Sequence, residues 1–388
     1  MMEEHLVFSL LIAYSHRTLL AVLHDPLEGM VVIMSKRSVA VLFGGNSSEY
    51  EVSLMSATSV LSNIPTDRYQ IHMVGITKEG QWIYYTGPVD EIQNGVWCEH
   101  PDNRLAWISP DSTAPGLMVA STGGNRLIPL DVVFPVLHGK NGEDGSIQGL
   151  MQLAGIPCVG CSMAASAVCM DKVYTNMVLD SAGIPQAKWD WCHVSDYRSS
   201  PREILDRVEK LGYPVFVKPA NAGSSVGVGK AKDRASLKAC IQEAAKWDQK
   251  LLFEEGIDGI EVECAVLGNQ CPIASVVGEI SPCNEFYDYE AKYEADSQLF
   301  IPARLPEETS ELIRQTAVKA FRALDCSGLA RVDFFVRRSD GAVLLNEPNT
   351  IPGFTSISMY PKLFDASGLP YPKLLDRLLG LAMERTGR

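Results

Sequence analysis

Two apolar, β-branched runs, Arg331-Val-Asp333-Phe-Phe-Val336 and Ala342-Val-Leu-Leu-Asn-Glu347-Pro-Asn349, flank the turn-forming residues Ser339-Asp340-Gly341. The pattern predicts a β-hairpin, and it constrains the chain strongly because acids interrupt both arms. Glu347 and Asn349 are two apart and so share one face of their strand. With a three-residue loop and Gly341 left-handed, Arg338 pairs with Ala342 and Asp333 lands opposite Glu347. Two carboxylates and an amide then converge, an oxygen set suited to Mg²⁺ (or Mn²⁺) shared with nucleotide phosphates. Pro348 lacks an N–H and belongs where its strand needs no ladder bond.

A nucleotide partner must be reconciled with charge. The chain has 388 residues and a net charge of −13, which argues against nucleic acid and anionic membrane as partners. An anionic nucleotide therefore needs locally concentrated Lys and Arg, or metal. The ten cysteines are scattered, which fits a reducing, cytoplasmic setting better than a disulfide framework. Cys158-Val-Gly-Cys161 has no second pair and no nearby histidine, so packing is its expected role. Leu6 to Ala13 is apolar, but Glu3, Glu4 and His5 precede it where a signal peptide wants basic residues, and it is too short to span a bilayer. Met34 reads as a natural start. Residues 1–33 are expected to be an appendage outside the fold, with the boundary at 35.

From Ser38 strands alternate with helices, and glycine-rich turns follow the strands. This predicts an α/β fold whose N-terminal domain, 36–160, is a doubly wound parallel sheet. Gly80 to Arg126 has little helical periodicity and is expected to insert as a β-hairpin region. A central lobe, 161–254, carries a helix through Asp171-Lys172, a strand Pro214 to Lys218 and a strand Leu251 to Glu255. A C-terminal lobe, 255–388, carries a polar loop at 281–302, a helix from Glu307 to Leu324 and the hairpin. Ser48-Glu-Tyr-Glu51 fits a capping box, which would leave Glu49 as the free carboxylate near a helix N-terminus.

The loop Asn221 to Gly229 is rich in Gly, Ala and Ser and follows a strand ending in Lys218. Small residues let backbone N–H groups approach phosphate, and glycine permits the positive φ that an anion nest needs. The spacing fits neither a P-loop nor a dinucleotide fingerprint. A strand lysine is costly to bury without anions, so Lys218, with Lys172 on a preceding helix, points to phosphate. Glu254 and Glu261 flank the turn Gly256 to Gly259, a crossover able to hold adenosine.

Together these features resemble the ATP-grasp superfamily and, within it, the D-alanine–D-alanine ligase family. The similarity runs from about Ser38 to Leu379. It is carried by Gly44-Gly-Asn-Ser-Ser-Glu-Tyr-Glu-Val-Ser53, Leu137-His-Gly-Lys-Asn-Gly-Glu-Asp-Gly145, Met170-Asp-Lys172 and Gly223-Ser-Ser-Val-Gly227. It continues in Phe286-Tyr-Asp-Tyr-Glu-Ala-Lys-Tyr293, Gly328-Leu-Ala-Arg-Val-Asp333 and Asn346-Glu-Pro-Asn-Thr-Ile-Pro-Gly-Phe-Thr355.

The resemblance implies a three-lobed ATP-grasp ligase that joins two D-alanines through an acylphosphate for peptidoglycan synthesis, expected to be a homodimer. It puts Lys172, Lys218, Ser225 and Lys292 on the ATP phosphates, Glu254 and Glu261 at the adenosine end and Phe286 over the ring. Asp333, Glu347 and Asn349 would coordinate two Mg²⁺, with Asn349 also near ATP. Arg331 would stabilise the tetrahedral oxyanion. Glu49 would bind the first D-alanine, linked through Ser224 to Tyr293, with Ser53 and His138 nearby. Gly353, Ser358 and Met359 map to the second subsite, and the 281–302 loop is expected to be a lid. Met359 departs from the more usual Leu, a volume-conserving change. The intact Glu-Ala-Lys-Tyr293 favours D-alanine as second substrate. The alternatives are D-serine or D-lactate there, or a non-catalytic nucleotide-binding regulator, against which the retained Arg331 and metal ligands argue.

Overall fold

The computed structural model describes residues 11–15, 18–25, 29–34, 36–281 and 298–386. Strands Leu11–Ser15, Thr18–Asp25 and Gly29–Met34 form their own antiparallel sheet. Three further sheets carry the rest of the chain.

The first is seven-stranded and mixed. Strands Val132–Pro135, Arg37–Gly44 and Tyr69–Ile76 are parallel neighbours. Helix Tyr50–Asn63 makes the crossover that a parallel pair requires. Val39 to Phe43 are fully buried because both faces of their strand are covered. Val39, Val41 and Phe43 pack with that helix and the C-terminal helix Tyr371–Glu384, while Ala40 and Leu42 pack with Ile147 and Met151 of helix Ser146–Leu153. The sheet is parallel only this far. Trp82–Tyr85, Arg104–Ile108, Gly116–Val119 and Arg126–Pro129 extend it as an antiparallel meander, so the expected inserted hairpin region is part of the sheet itself.

The second sheet orders Trp189–His193, Lys250–Glu255, Val215–Pro219 and Gly229–Ala231, all antiparallel. The third orders Gln298–Phe300, Ile273–Ser281, Gly259–Gly268, Gly328–Arg337 and Val343–Asn349, again antiparallel. Helix Glu307–Ala323 covers one face of this third sheet. Its Ile313, Ala317, Ala320 and Phe321 share a core with Val262, Cys264, Val332 and Phe334. Strand alternation then turns Glu261, Glu263, Arg331 and Asp333 to the opposite face. The acids that interrupt these apolar strands are the residues of that second face.

Three local expectations need correction. The helix drawn through Asp171 is two helices, Met163–Met170 and Lys172–Ser181. Asp171 caps the second, accepting the N–H groups of Val173 and Tyr174, each at 3.1 Å. The capping box at Ser48–Glu51 does not form. Helix Tyr50–Asn63 starts after Glu49 with no side-chain cap, and Glu51 instead pairs with Lys78 at 2.5 Å on the surface. The hairpin loop has four residues: Gly341 (φ 72°) donates its N–H to Arg337 O at 2.8 Å, and Arg337 N–H bonds Ala342 O at 2.9 Å.

The nine described cysteines are free, with Cys158 and Cys161 buried. Among the described residues no helix is long and apolar enough to cross a membrane.

Candidate active site

A cavity of about 1020 Å³ is walled by three sources: the strand ends of the first sheet, the four-stranded sheet and the acidic face of the five-stranded sheet. Of the sequence-selected residues, Glu49, His138, Lys172, Lys218, Ser224, Ser225, Glu254, Glu261, Arg331, Asp333, Glu347, Asn349, Gly353, Ser358 and Met359 all line it. Phe286, Lys292, Tyr293 and most of the 281–302 loop lie outside the described residues.

At one end, the buried carboxylate of Glu49 accepts the Ser224 hydroxyl proton, joining the first sheet to the loop after Lys218. Gly139 makes room for it. A Cβ there would stand 2.4 Å from Glu49 Oε2 and 2.8 Å from Ser47 Oγ, at a φ of +69°. Ser224, Ser225 and Gly227 take φ values of 48°, 59° and 71°. Left-handed serines are costly and cluster where a backbone cradle is in use, and such turns build anion nests.

His138 is buried, with Nδ1 3.1 Å from Ile351 O and Nε2 3.0 Å from Ser56 Oγ. A carbonyl only accepts, so Nδ1 carries the proton and the neutral ring's Nε2 accepts from Ser56. Burial holds His138 below the ordinary imidazole value, against the raising effect of Glu49 and the Ile351 carbonyl. The imidazole is thus uncharged, and both nitrogens are held by protein. Ser53 also departs from expectation. It is fully buried, is not part of the cavity wall, donates to Val136 O and accepts Gly44 N–H at 2.8 Å. It is a strut between two parallel strands.

At the other end, Lys218 Nζ lies 2.6 Å from Glu254 Oε2, and Asn176 Nδ2 donates to Glu254 Oε1 at 3.3 Å. Burial alone would lower the Lys218 pKa; Glu254, Glu347 and Glu261 together outweigh it and raise it, so the lysine stays charged. Lys172 Nζ donates to Ala222 O at 2.8 Å and stands 3.6 Å from Glu347. Two ammonium groups therefore face the glycine–serine loop and the acidic strands together.

On the five-stranded sheet, Asp333 is paired in register with Glu347. The Arg331 guanidinium forks onto both Asp333 oxygens at 2.7 Å, and Asn349 Nδ2 reaches Asp333 Oδ2 at 2.9 Å. Among the described residues no group of three or more His, Cys, Asp or Glu side chains forms a closed metal set. An open pair of carboxylates with an amide is what Mg²⁺ requires when substrate phosphates and water complete its shell. The donor set fits. Pro348 sits on the edge strand, as its missing N–H demands.

Glu143 and Glu263 are among the acids of this cavity that sequence reasoning passed over. Glu143 accepts Gly139 N–H at 3.2 Å, and burial, then the nearby Glu49 charge, hold its carboxyl well above the usual range. Glu263 approaches Arg331 Nε at 3.0 Å. Its spacing of two from Glu261 put it on the same strand face, and that signal was readable.

Two family models cover most of the chain: "D-ala D-ala ligase N-terminus" matches residues 38–161 and "D-ala D-ala ligase C-terminus" residues 178–380. The chain belongs to the D-alanine–D-alanine ligase family. It is 55% identical over 364 residues to a D-alanine–D-alanine ligase of Acetivibrio thermocellus, covering 90% of this chain and 96% of that one. It is 51% identical over 368 residues to one of Ruminiclostridium cellulolyticum, covering 91% and 96%. Among solved structures, the VanG D-Ala:D-Ser ligase of Enterococcus faecalis superposes with a TM-score of 0.82 at 42% identity, over 90% of this chain and all of that one. The D-alanine–D-alanine ligase of Coxiella burnetii gives 0.79 at 37%, over 91% and 95%. The fold of this D-alanine–D-alanine ligase family member is the ATP-grasp fold, its two antiparallel sheets facing each other across the cavity.

Proposed function

We propose that the chain is an ATP-dependent ligase that condenses two D-alanines, through D-alanyl phosphate, to D-alanyl-D-alanine for peptidoglycan synthesis. The observation that carries this reading is the Glu49–Ser224 bond. It ties an ammonium-binding carboxylate to the phosphate loop, inside a cavity that also holds Arg331 and the Asp333–Glu347 pair.

In this reading Lys172, Lys218 and the N–H groups around Ser225 hold the ATP phosphates, with Glu254 and Glu261 toward the adenosine. Glu49 holds the ammonium of the first D-alanine so that its carboxylate meets the γ-phosphorus. Attack forms the acylphosphate and releases ADP. The amine of the second D-alanine, held near Gly353, Ser358 and Met359, then attacks the acyl carbon. Arg331 stabilises the oxyanion of that step, and collapse expels phosphate. Two Mg²⁺ (or Mn²⁺), held by Asp333, Glu347 and Asn349, would offset charge on the transferring phosphoryl group. Neutral His138 braces Ile351 against Ser56 and so shapes the first subsite. Lys292, Phe286 and Tyr293 would complete the site from the lid.

The three main sheets support a division at 36–160, 161–254 and 255–388, with residues 1–35 outside the ligase unit. A cytoplasmic homodimer is the assembly the family reading implies.

A second reading, with D-serine as acceptor, is favoured by the likeness to a D-Ala:D-Ser ligase. Phosphate release from ATP with D-alanine alone, then with D-serine or D-lactate added, separates the two. Efficient release with D-alanine alone supports dipeptide synthesis. Release only when D-serine is present overturns it in favour of the second reading.

A further inference from the structure

Arg331 faces two acids from two strands, Asp333 through hydrogen bonds and Glu263 Oε2 through a close charge contact without one. Asp333, two residues along its own strand, takes Nε and Nη2 at 2.7 Å, and Glu263, on the adjacent strand Gly259–Gly268, lies 3.0 Å from Nε. Glu263 is opposite Asp333 in register, and its side chain is only 6% exposed, against 14% for Arg331. Its strand neighbours Val262, Cys264, Ala265 and Val266 are buried and apolar. A carboxylate at that depth is costly unless it meets a cation.

The two acids differ in what else they serve. Asp333 also accepts the Asn349 amide and faces Glu347, so it belongs to the oxygen set of the phosphoryl site. Glu263 sits one strand further from Glu347, on the far side of Asp333. Glu263 therefore faces the guanidinium from outside the Asp333, Glu347 and Asn349 oxygen set.

We infer that Glu263 is a positioning residue for Arg331: it aims the guanidinium at the acyl carbon's developing oxyanion independently of the Asp333 carboxylate. The inference rests on the acyl-transfer reading above. It predicts that loss of the Glu263 charge harms amide formation more than acylphosphate formation. The acylphosphate not consumed by the amine leaves the site and is hydrolysed in water without help from Arg331, yielding D-alanine and phosphate in place of dipeptide.

The test measures phosphate and dipeptide together. Glu263→Gln keeps volume and removes charge. It should lower dipeptide turnover about tenfold or more, leave the KM for ATP within about twofold, and raise phosphate released per dipeptide above the stoichiometric value of one. Glu263→Asp keeps the charge but withdraws it, and should give a smaller rise in that ratio; it carries the test if the Gln variant does not fold. Equal losses of phosphate and dipeptide, or an unchanged ratio in a folded variant, would overturn the inference. If the unaltered protein releases no D-alanine-dependent phosphate, the ligase reading itself fails.

Discussion

Asp333 lies directly opposite Glu347 across the two strands that end the five-stranded sheet. The pairing depends on an irregularity. A four-residue loop pairs Val336 with Val343 and Phe334 with Leu345, and that register alone would put Asp333 opposite Asn346. Leaving Asn346 as an extra residue shifts the register by one between Phe334 and Asp333, and the two carboxylates meet.

Glu347→Gln should abolish turnover while the protein stays folded. The face it belongs to already carries Glu261, Glu263 and Asp333, so removing one anion relieves repulsion in the ligand-free protein, which offsets the loss of its contact with Lys172. Phosphate release should fall by about a hundredfold or more, with little change in Tm. Retained ATP cleavage would end the metal assignment.

Gly139→Ala should act on substrate affinity. The added Cβ meets Glu49 Oε2 at 2.4 Å, and the carboxylate cannot retreat without leaving Ser224. The left-handed φ adds a strain of about 1 kcal/mol. The KM for D-alanine should rise about tenfold or more, while nucleotide binding, measured by fluorescence or calorimetry, changes little.

Ser53→Ala should be a stability variant. It strands Gly44 N–H and Val136 O in a buried site, at a cost of about 1–3 kcal/mol. Chemical denaturation should show that loss with kinetic constants nearly unaltered. A large KM effect with no loss of stability would return Ser53 to the substrate site.

His138 should make stability fall on mild acidification. Burial lowers its folded pKa, so the unfolded chain takes up the proton first as pH drops below about 6.5. The stability contribution is full above that value and is lost as pH falls toward the folded pKa. Glu143, raised by burial and by Glu49, contributes with the opposite slope. Comparing denaturation of the unaltered protein with His138→Gln at pH 7.5, 6.5 and 5.5 isolates the term. The variant should show the shallower decline between the upper and lower pH.

Local spacing made the functional faces legible. A two-residue period places Glu347 with Asn349 and Arg331 with Asp333 whatever the rest of the chain does. Gly341 marked the hairpin turn, and the glycine–serine loop after Lys218 marked a phosphate cradle, because φ preferences are properties of single residues. Motif order from Gly44 to Thr355 carried the family. The chain alone could not tell a three-residue loop from a four-residue loop with a bulge at Asn346, since both bring Asp333 to Glu347. Tertiary structure decided that Ser53 is a strut, that His138 is neutral, and that Glu263 lies against Arg331 beside Asp333. Those outcomes depend on burial and on partners 68 to 213 residues away in the chain. No local pattern encodes the desolvation or the neighbour that sets a buried polar group's state.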